Sequence, residues 1–260
     1  MRKICQCVQN SNENVTADHT IQAIKQAGFD GVFIQWYDKP WSPSQQEQLD
    51  LCRKLGLEIV FAHLGYSGIN NLWLEGVEGD LLIENYIRDL DKLKENDIDL
   101  VIFHLSSKKT PPMYNELGLK RLQKFVDYAD KLGIRVAFEN TRTWGYLEYV
   151  FDNIKNDNIG LCFDFGHYHC HFNDNLDWER FRNRIYAVHI HDNDKSDDLH
   201  LLPFDGTLDF DETIAKLNEY GYDGPVTLES CYRYDYLNES VEEFYKESFK
   251  RAALLETKFN

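Results

Sequence analysis

Four side chains that divalent metal ions accept as ligands each close a short apolar stretch of the chain. They are Glu139 in VAFE, Asp164 in GLCFD, His189 in YAVH and Glu229 in PVTLE. Three carboxylates with one imidazole form an oxygen-rich set, which suits Mn²⁺, Mg²⁺ or Co²⁺ and can also hold Zn²⁺. Because the four recur at the ends of successive stretches, we predict that they form one divalent metal site.

Further residues of the same chemistry stand at or just beyond the ends of apolar stretches: His63, His104, His167, Asp198 and His200. They add nitrogen to the candidate set. A lone histidine is more often a hydrogen-bonded structural group than a ligand, so only position raises these residues above that expectation. We predict that they are additional metal ligands or substrate contacts.

The other histidines are weaker candidates. His19, His169 and His171 lie before or beyond the apolar stretches, so we expect them in loops or at the surface. His191 follows His189 by two residues, and the alternation of a strand would place both on the same side. His191 could therefore support a metal ligand through a hydrogen bond.

The apolar stretches predict eight β-strands, because runs of Val, Ile, Phe and Leu without polar alternation are typical of parallel strands buried on both faces. The predicted strands are residues 2–8, 31–36, 58–64, 100–106, 135–140, 159–165, 185–191 and 224–230. The predicted helices are residues 18–28, 44–56, 80–96, 115–132, 145–155, 177–183, 209–220 and 238–257. Each predicted helix follows a strand.

This alternation predicts an α/β fold, a (β/α)8 TIM barrel, as a single domain over residues 1–260. The chain length agrees with the roughly 250 residues typical of such barrels. Gly28, Gly56, Gly133 and Gly221 stand where predicted helices end, as C-terminal caps do. Because active sites of these barrels lie at the carboxyl ends of the strands, the candidate ligands should converge on one face.

Charge and hydropathy limit the partners. Lys and Arg number 28 against 44 Asp and Glu, which gives a formal net charge of −16 and makes a nucleic-acid partner unexpected. No leader or membrane-spanning stretch is evident, so we expect no membrane contact and a cytoplasmic location. Aromatic residues near predicted loops leave a homo-oligomer open: Trp36, Trp41, Trp73 and Trp144.

Several motifs occur in a fixed order along most of the chain: HLGYSGINNLW, FHLSS, FENTR, FDFGH, HIHDND, DLHLLPFDGT and TLES. Their order resembles the xylose-isomerase-like TIM barrel superfamily, which includes sugar phosphate isomerases and epimerases and also endonuclease IV. The resemblance implies the barrel fold, a metal site and a role in carbohydrate metabolism. It is much less specific for the reaction.

In the ketose 3-epimerase branch, the resemblance implies that Glu139, Asp164, His189 and Glu229 hold one divalent metal. Glu139 and Glu229 would be catalytic, since one removes a proton from the substrate and the other returns it to an enediolate. His167 would contact a substrate hydroxyl. The substrate would be a small carbohydrate, and a dehydratase of a polyol ketone would share the same proton abstraction.

In the endonuclease IV branch, the resemblance instead implies up to three Zn²⁺ and cleavage of DNA at abasic sites. The nine implied ligands all have counterparts: His63, His104, Glu139, Asp164, His167, His189, Asp198, His200 and Glu229. The net charge of −16 disfavours this alternative.

Two loops bear on the substrate. Lys108, together with Ser106, Ser107 and Lys109, and Arg142 could contact a sugar phosphate. The chain also has Phe204 where many epimerases have a glycine-rich turn, which leaves the shape of the substrate pocket open.

Overall fold

Eight parallel strands alternate with eight α-helices in the computed structural model, which describes residues 1–9, 14–37, 39, 41–171 and 176–260. The strands are β1 Ile4–Val8, β2 Gly31–Trp36, β3 Glu58–Leu64, β4 Leu100–Phe103, β5 Arg135–Glu139, β6 Ile159–Asp164, β7 Ile185–His189 and β8 Val226–Leu228. They pair in the order β7-β6-β5-β4-β3-β2-β1-β8. An isolated parallel bridge between Ile190 and Leu228 links the two ends of this sheet, so the predicted (β/α)8 barrel is confirmed.

The α-helices surround the strands, and most follow the predicted ranges. They are α1 Ala17–Ala27, α2 Gln45–Leu55, α3 Val77–Glu95, α4 Glu116–Leu132, α5 Gly145–Asn153, α6 Phe165–His171, α7 Phe210–Glu219 and α8 Val241–Glu256. Gly28, Gly56 and Gly133 end their helices in the left-handed conformation, as predicted. Gly221 has the same conformation one residue after the cap of α7.

The prediction was wrong after β6. Helix α6 begins directly at Phe165, whereas the predicted range 177–183 contains only the 3₁₀ turn Trp178–Phe181. The Asp164 carboxylate accepts the backbone N–H of His167 at 2.6 Å and so stabilises the first turn of α6. His169 and His171 therefore lie on a helix and are half-buried, not in a loop.

The strands are apolar on both faces because each face packs against a separate core. The outward side chains pack against the helices, and a smaller cluster fills the barrel interior. In that interior, Phe33 stacks on Phe61 with ring centroids 4.6 Å apart and on His189 at 5.0 Å. The interior core thus forms an apolar floor under the carboxyl ends of the strands.

The four tryptophans predicted near loops differ in exposure. Trp36 and Trp73 are buried, and the indole N–H of Trp73 donates to the Leu105 carbonyl at 2.7 Å, so neither is available for a subunit contact. Trp41 is exposed and Trp144 is half-buried. Within the part of the chain that the structure describes, no helix is long and apolar enough to cross a bilayer.

Candidate metal centre

Three predicted carboxylate ligands surround the imidazole of a fourth, His189, at the carboxyl end of the barrel. β5, β6 and β7 end at Glu139, Asp164 and His189, and Glu229 directly follows β8. The His189 Nδ1 atom lies 3.3 Å from Glu139 Oε2, 3.7 Å from Asp164 Oδ2 and 3.4 Å from Glu229 Oε2. All four residues are buried. We name Glu139, Asp164, His189 and Glu229 the inner cluster.

The distances from His189 Nδ1 to the three carboxylates are close to those between ligands of one divalent cation. Nitrogen and oxygen ligands of one Zn²⁺ in tetrahedral geometry stand about 3.3–3.4 Å apart, close to the distances around His189. The His189 Nδ1 atom is buried and has no hydrogen-bond partner among the described residues. Such an atom costs about 1–3 kcal/mol, which a bound cation would offset. The donor set therefore fits a divalent metal ion.

Glu139 is shared with two further predicted residues, His63 from β3 and His104 just after β4. Their Nε2 atoms lie 3.2 Å and 3.0 Å from Glu139 Oε2, and their rings are 4.8 Å apart. The other ring nitrogen of His63 contacts the Leu64 carbonyl at 2.9 Å. A backbone carbonyl at Nδ1 is typical of metal-bound histidines, because it fixes the tautomer and leaves Nε2 for the ion.

A second group of polar side chains lies beside the inner cluster, around the Asp198 carboxylate. Asp198 Oδ2 is 3.2 Å from Nε2 of His167 and also 3.2 Å from Nε2 of His200. Asp198 Oδ1 is 3.7 Å from Nε2 of His191. We name His167, His191, Asp198 and His200 the outer cluster. His191 is buried within it, although the sequence indicated only a supporting role.

The carboxylates and imidazoles of the two clusters shift each other's pKa values. Burial by itself would raise the pKa of Glu139, but the imidazoles of His104 and His189 hold it well below its ordinary value. Burial would lower the pKa of His200, but the charges of Cys231 and Asp198 raise it well above. The low pKa of Glu139 favours its ionised form, and a cation bound beside it would stabilise that form further.

Members of both clusters line two neighbouring cavities. The first has a volume of about 290 Å³ and the second about 380 Å³, and both are bounded by Tyr66, His104, His167 and Asp198. Residues that sequence reasoning missed line the first cavity: Gln9, Gln35, Tyr37, Lys39, Tyr66, Cys231 and Arg233. Tyr66 follows the predicted ligand His63 by three residues, and this proximity in the sequence could have identified it. Its ring stacks on His104 at 4.5 Å.

The predicted phosphate contacts lie in the second cavity. Its lining includes Ser106, Ser107, Lys108, Lys109, Thr141 and Arg142. Arg142 is already engaged, since Nη1 lies 3.2 Å from His171 Nε2 and Nη2 lies 3.4 Å from Asp197 Oδ1. Lys108 is exposed. The structure therefore brings Lys108 and Arg142 to one cavity beside the clusters.

Comparison with known proteins gives a family match and several relatives. The model of the xylose isomerase-like TIM barrel family matches residues 21–253. An uncharacterized protein of Methanocaldococcus jannaschii is 30% identical over 201 residues, which cover 70% of this chain and 67% of that protein. The inosose isomerase of Halalkalibacterium halodurans is 27% identical over 139 residues, which cover 48% of this chain and 49% of that protein.

Solved structures with the same fold cover nearly the whole chain. A solved L-ribulose 3-epimerase has a TM-score of 0.78 at 18% identity, and the match covers 99% of this chain and 96% of that one. A solved IolI protein with a bound zinc atom has a TM-score of 0.77 at 17% identity and 99% coverage of both chains. These structures share the barrel architecture with this chain.

Proposed function

We propose that this chain, which belongs to the xylose isomerase-like TIM barrel family, is a metal-dependent isomerase or epimerase of a small carbohydrate. The observation that carries the proposal is the convergence of Glu139, Asp164 and Glu229 on His189 Nδ1 beside a cavity of about 290 Å³. Such a cavity is close in size to small-molecule binding sites. The names of the relatives, an inosose isomerase and an L-ribulose 3-epimerase, support the same class of substrate.

The inner cluster would hold the divalent ion, which would polarise the substrate oxygens and make a neighbouring C–H bond more acidic. Glu139 and Glu229 both line the first cavity, where one carboxylate would remove the substrate proton and the other would return it. Their environments differ. The Glu139 side chain is 1% exposed and faces four imidazoles, whereas the Glu229 side chain is 8% exposed. Glu229 is therefore the more accessible proton carrier.

Other side chains around the cavities would orient the substrate. His167 lines both cavities and would contact a substrate hydroxyl. Tyr66 would offer its ring face to the C–H side of a sugar, since aromatic faces suit apolar surfaces. Lys108 and Arg142 would meet a phosphate if the substrate carries one, because both line the second cavity.

The test is solvent deuterium exchange into a panel of ketoses and ketose phosphates, followed by NMR with Mn²⁺, Co²⁺, Mg²⁺ or Zn²⁺ present. We expect deuterium to enter at the isomerised or epimerised carbon of at least one substrate. Glu139→Gln and Glu229→Gln should abolish exchange, while the control Glu58→Gln, at the opposite end of the barrel, should keep it. Full exchange by the Glu139→Gln variant would refute the proposed role. Water loss from a substrate in the same spectra would identify a dehydratase instead.

One observation favours a second candidate, a zinc phosphodiesterase acting on abasic DNA. Ligand atoms of His63, His104 and Glu139 lie within 4.8 Å of one another, so the structure also gathers the histidine ligands that the epimerase set does not use. A duplex with one abasic site, incubated with zinc-loaded protein, tests it directly. Nicking that is lost in a His104→Asn variant would support the nuclease, and an intact duplex would exclude it.

A further inference from the structure

We propose that Gln9 and Gln35 are specificity-determining residues, which together hold one uncharged hydroxyl group of the substrate at the wall of the first cavity. Neither residue belongs to the inner or the outer cluster, and both line that cavity. The inference rests on the proposed function for the class of ligand, a small ketose. It adds which part of the ketose the chain selects and which side chains make the selection.

The first argument is that the barrel places the two amides side by side. Val8 of β1 pairs in parallel register with Ile34 of β2. Gln9 and Gln35 are the next residues of these two segments, so they are neighbours across the sheet. The residues two positions earlier in each segment belong to the core of the barrel interior, and the alternation of a strand therefore directs both glutamines inward. Gln35 in turn pairs with His63, which places it in the layer of the predicted ligands.

The second argument is that contacts within the protein fix the two amides in opposite senses. The Tyr37 O–H donates to Oε1 of Gln35, which leaves Gln35 Nε2 as a donor. Gln9 Nε2 donates to Cys231 Sγ at 2.8 Å and lies 3.5 Å from the Glu229 carbonyl, which leaves Gln9 Oε1 as an acceptor. Neither Gln35 Nε2 nor Gln9 Oε1 has a hydrogen-bond partner among the described residues.

A hydroxyl group satisfies both of these atoms at once. Its oxygen accepts a hydrogen bond from Gln35 Nε2, while its O–H donates to Gln9 Oε1. Neighbouring strands lie about 4.8 Å apart, so one oxygen can stand about 2.8–3.0 Å from both amides. An ionised carboxylate or phosphate oxygen offers no proton to Gln9 Oε1. The pair therefore favours an uncharged group.

The position of the pair indicates which hydroxyl it selects. Gln9 and Gln35 extend from β1 and β2, whereas Glu139 and Asp164 of the inner cluster end β5 and β6, four strands away around the barrel. A ketose whose carbonyl lies at the inner cluster therefore directs its remaining hydroxyls toward the pair. The selected hydroxyl is one beyond the reacting carbon atoms.

Lys39 lines the same cavity and leads to a competing hypothesis, an anionic group at this wall. Its ammonium nitrogen lies 5.3 Å from the ring centre of Tyr37 and 5.9 Å from that of Trp41. The two hypotheses predict opposite preferences. The amide pair favours a ketose over the corresponding uronate, whereas recognition by Lys39 favours the uronate.

The experiment measures binding and needs no turnover. The probes are D-fructose, D-tagatose and D-allulose, each with the analogues that lack one hydroxyl beyond C3, and D-fructuronate. Dissociation constants come from saturation-transfer NMR with Mg²⁺-loaded protein. In the wild type, removal of one of these hydroxyls should weaken binding about 10–100-fold, as expected for two neutral hydrogen bonds.

Substitutions then assign this discrimination to the amides. A double variant, Gln9→Met with Gln35→Met, keeps the side-chain volume but removes both polar groups, so it should bind a ketose and its deoxy analogue within about twofold of each other. Tyr37→Phe should discriminate less than the wild type, because Gln35 loses the contact that orients its amide. The control Gln22→Met, on the exposed side of α1, should discriminate as the wild type does.

Unchanged discrimination in the double variant, or a wild type that binds no ketose or binds all analogues equally, would overturn the inference. Tighter binding of D-fructuronate that a Lys39→Met variant loses would also overturn it. If the double variant unfolds, Gln35→Met alone decides, since loss of the donor should by itself reduce the discrimination. The deuterium-exchange assay keeps the two proposals apart. Exchange without discrimination refutes only this inference, and discrimination without exchange refutes only the proposed reaction.

Discussion

The buried polar groups around Arg121 differ from those of the inner and outer clusters in how their hydrogen bonds are satisfied. The Arg121 guanidinium, on α4, is 5% exposed and all three of its nitrogens donate. Its Nε donates to Asp80 at 2.8 Å, and Nη1 and Nη2 donate to carbonyls of Asn71, Leu72, Leu74 and Gly76 at 3.1, 3.0, 2.7 and 2.8 Å. These hydrogen bonds join the segment between β3 and α3 to α4, and we name Arg121, Asp80 and these carbonyls the stabilising cluster.

In the inner and outer clusters, by contrast, some buried polar atoms are not satisfied. Buried ring nitrogens of His167, His189 and His191 have no hydrogen-bond partner among the described residues. Unsatisfied buried groups reduce stability, so a fold keeps them where they serve another purpose. We infer that buried polarity around Arg121 stabilises the fold, whereas buried polarity at the barrel mouth would prepare a binding site.

The largest expected effect is a loss of turnover without a loss of folding. Glu139→Gln removes the charge that four imidazoles surround, so turnover of the carbohydrate substrate should fall by about 10²–10⁴-fold. The far-ultraviolet circular dichroism spectrum should stay that of the wild type, since the substitution preserves volume. Kinetics on the substrate found by deuterium exchange, with elemental analysis of bound metal, check this. Retained turnover would mean that the inner cluster is not the reactive site.

A substitution in the stabilising cluster should instead lower the free energy of unfolding. Arg121→Met leaves buried carbonyls of the segment 71–76 without their donor, and the free energy of unfolding should drop by about 3 kcal/mol. Urea denaturation measures the drop. The control Arg88→Met, on the exposed side of α3, should change it by less than about 0.5 kcal/mol. An equal loss in both variants would show that the hydrogen bonds of Arg121 do not account for the loss of stability.

The barrel and its strand-end ligands could be predicted from the sequence, whereas the stabilising cluster could not. The barrel was predictable because apolar strands recur with metal-ligand side chains at their ends, and parallel strands bring those ends together. Glu139, Asp164, His189 and Glu229 accordingly meet in the structure, while their catalytic and metal-binding roles stay predictions. The stabilising cluster was not predictable, since the partners of Arg121 are mostly backbone carbonyls that leave no side-chain pattern in the sequence.

The segment after β6 was mispredicted for a related reason. The stretch FGHYHCH contains glycine and histidines, which are poor helix formers, so nothing in it predicts α6. The helix begins because Asp164 accepts the His167 N–H, a contact that depends on the barrel placing Asp164 there. The surroundings of His191 could not be predicted either, because its ring packs against Gly166, which the fold brings there from another element.

An intermediate effect should come from metal addition. A divalent ion that binds only the folded chain should raise the free energy of unfolding by about 2.7 kcal/mol at 100 times its dissociation constant. Denaturation of chelator-treated protein with and without added Mn²⁺ measures the gain. Asp164→Asn should lose most of it, whereas Arg121→Met should keep it although its baseline stability is lower. A gain that persists in the Asp164→Asn variant would place the ion elsewhere.

The smallest effect is a pH dependence of the stabilising cluster. The hydrogen bond from Arg121 lowers the pKa of Asp80 below its ordinary value, although the Asp80 side chain is largely exposed. Because the folded-state pKa is the lower one, the ion pair contributes its full stability above the unfolded-state pKa and loses it as the pH falls through the folded-state value. Urea denaturation of wild type and Asp80→Asn should therefore show a difference at pH 7 that shrinks in acid and at high salt. A difference independent of pH would assign the contribution of Asp80 to its shape and hydrogen bond rather than to its charge.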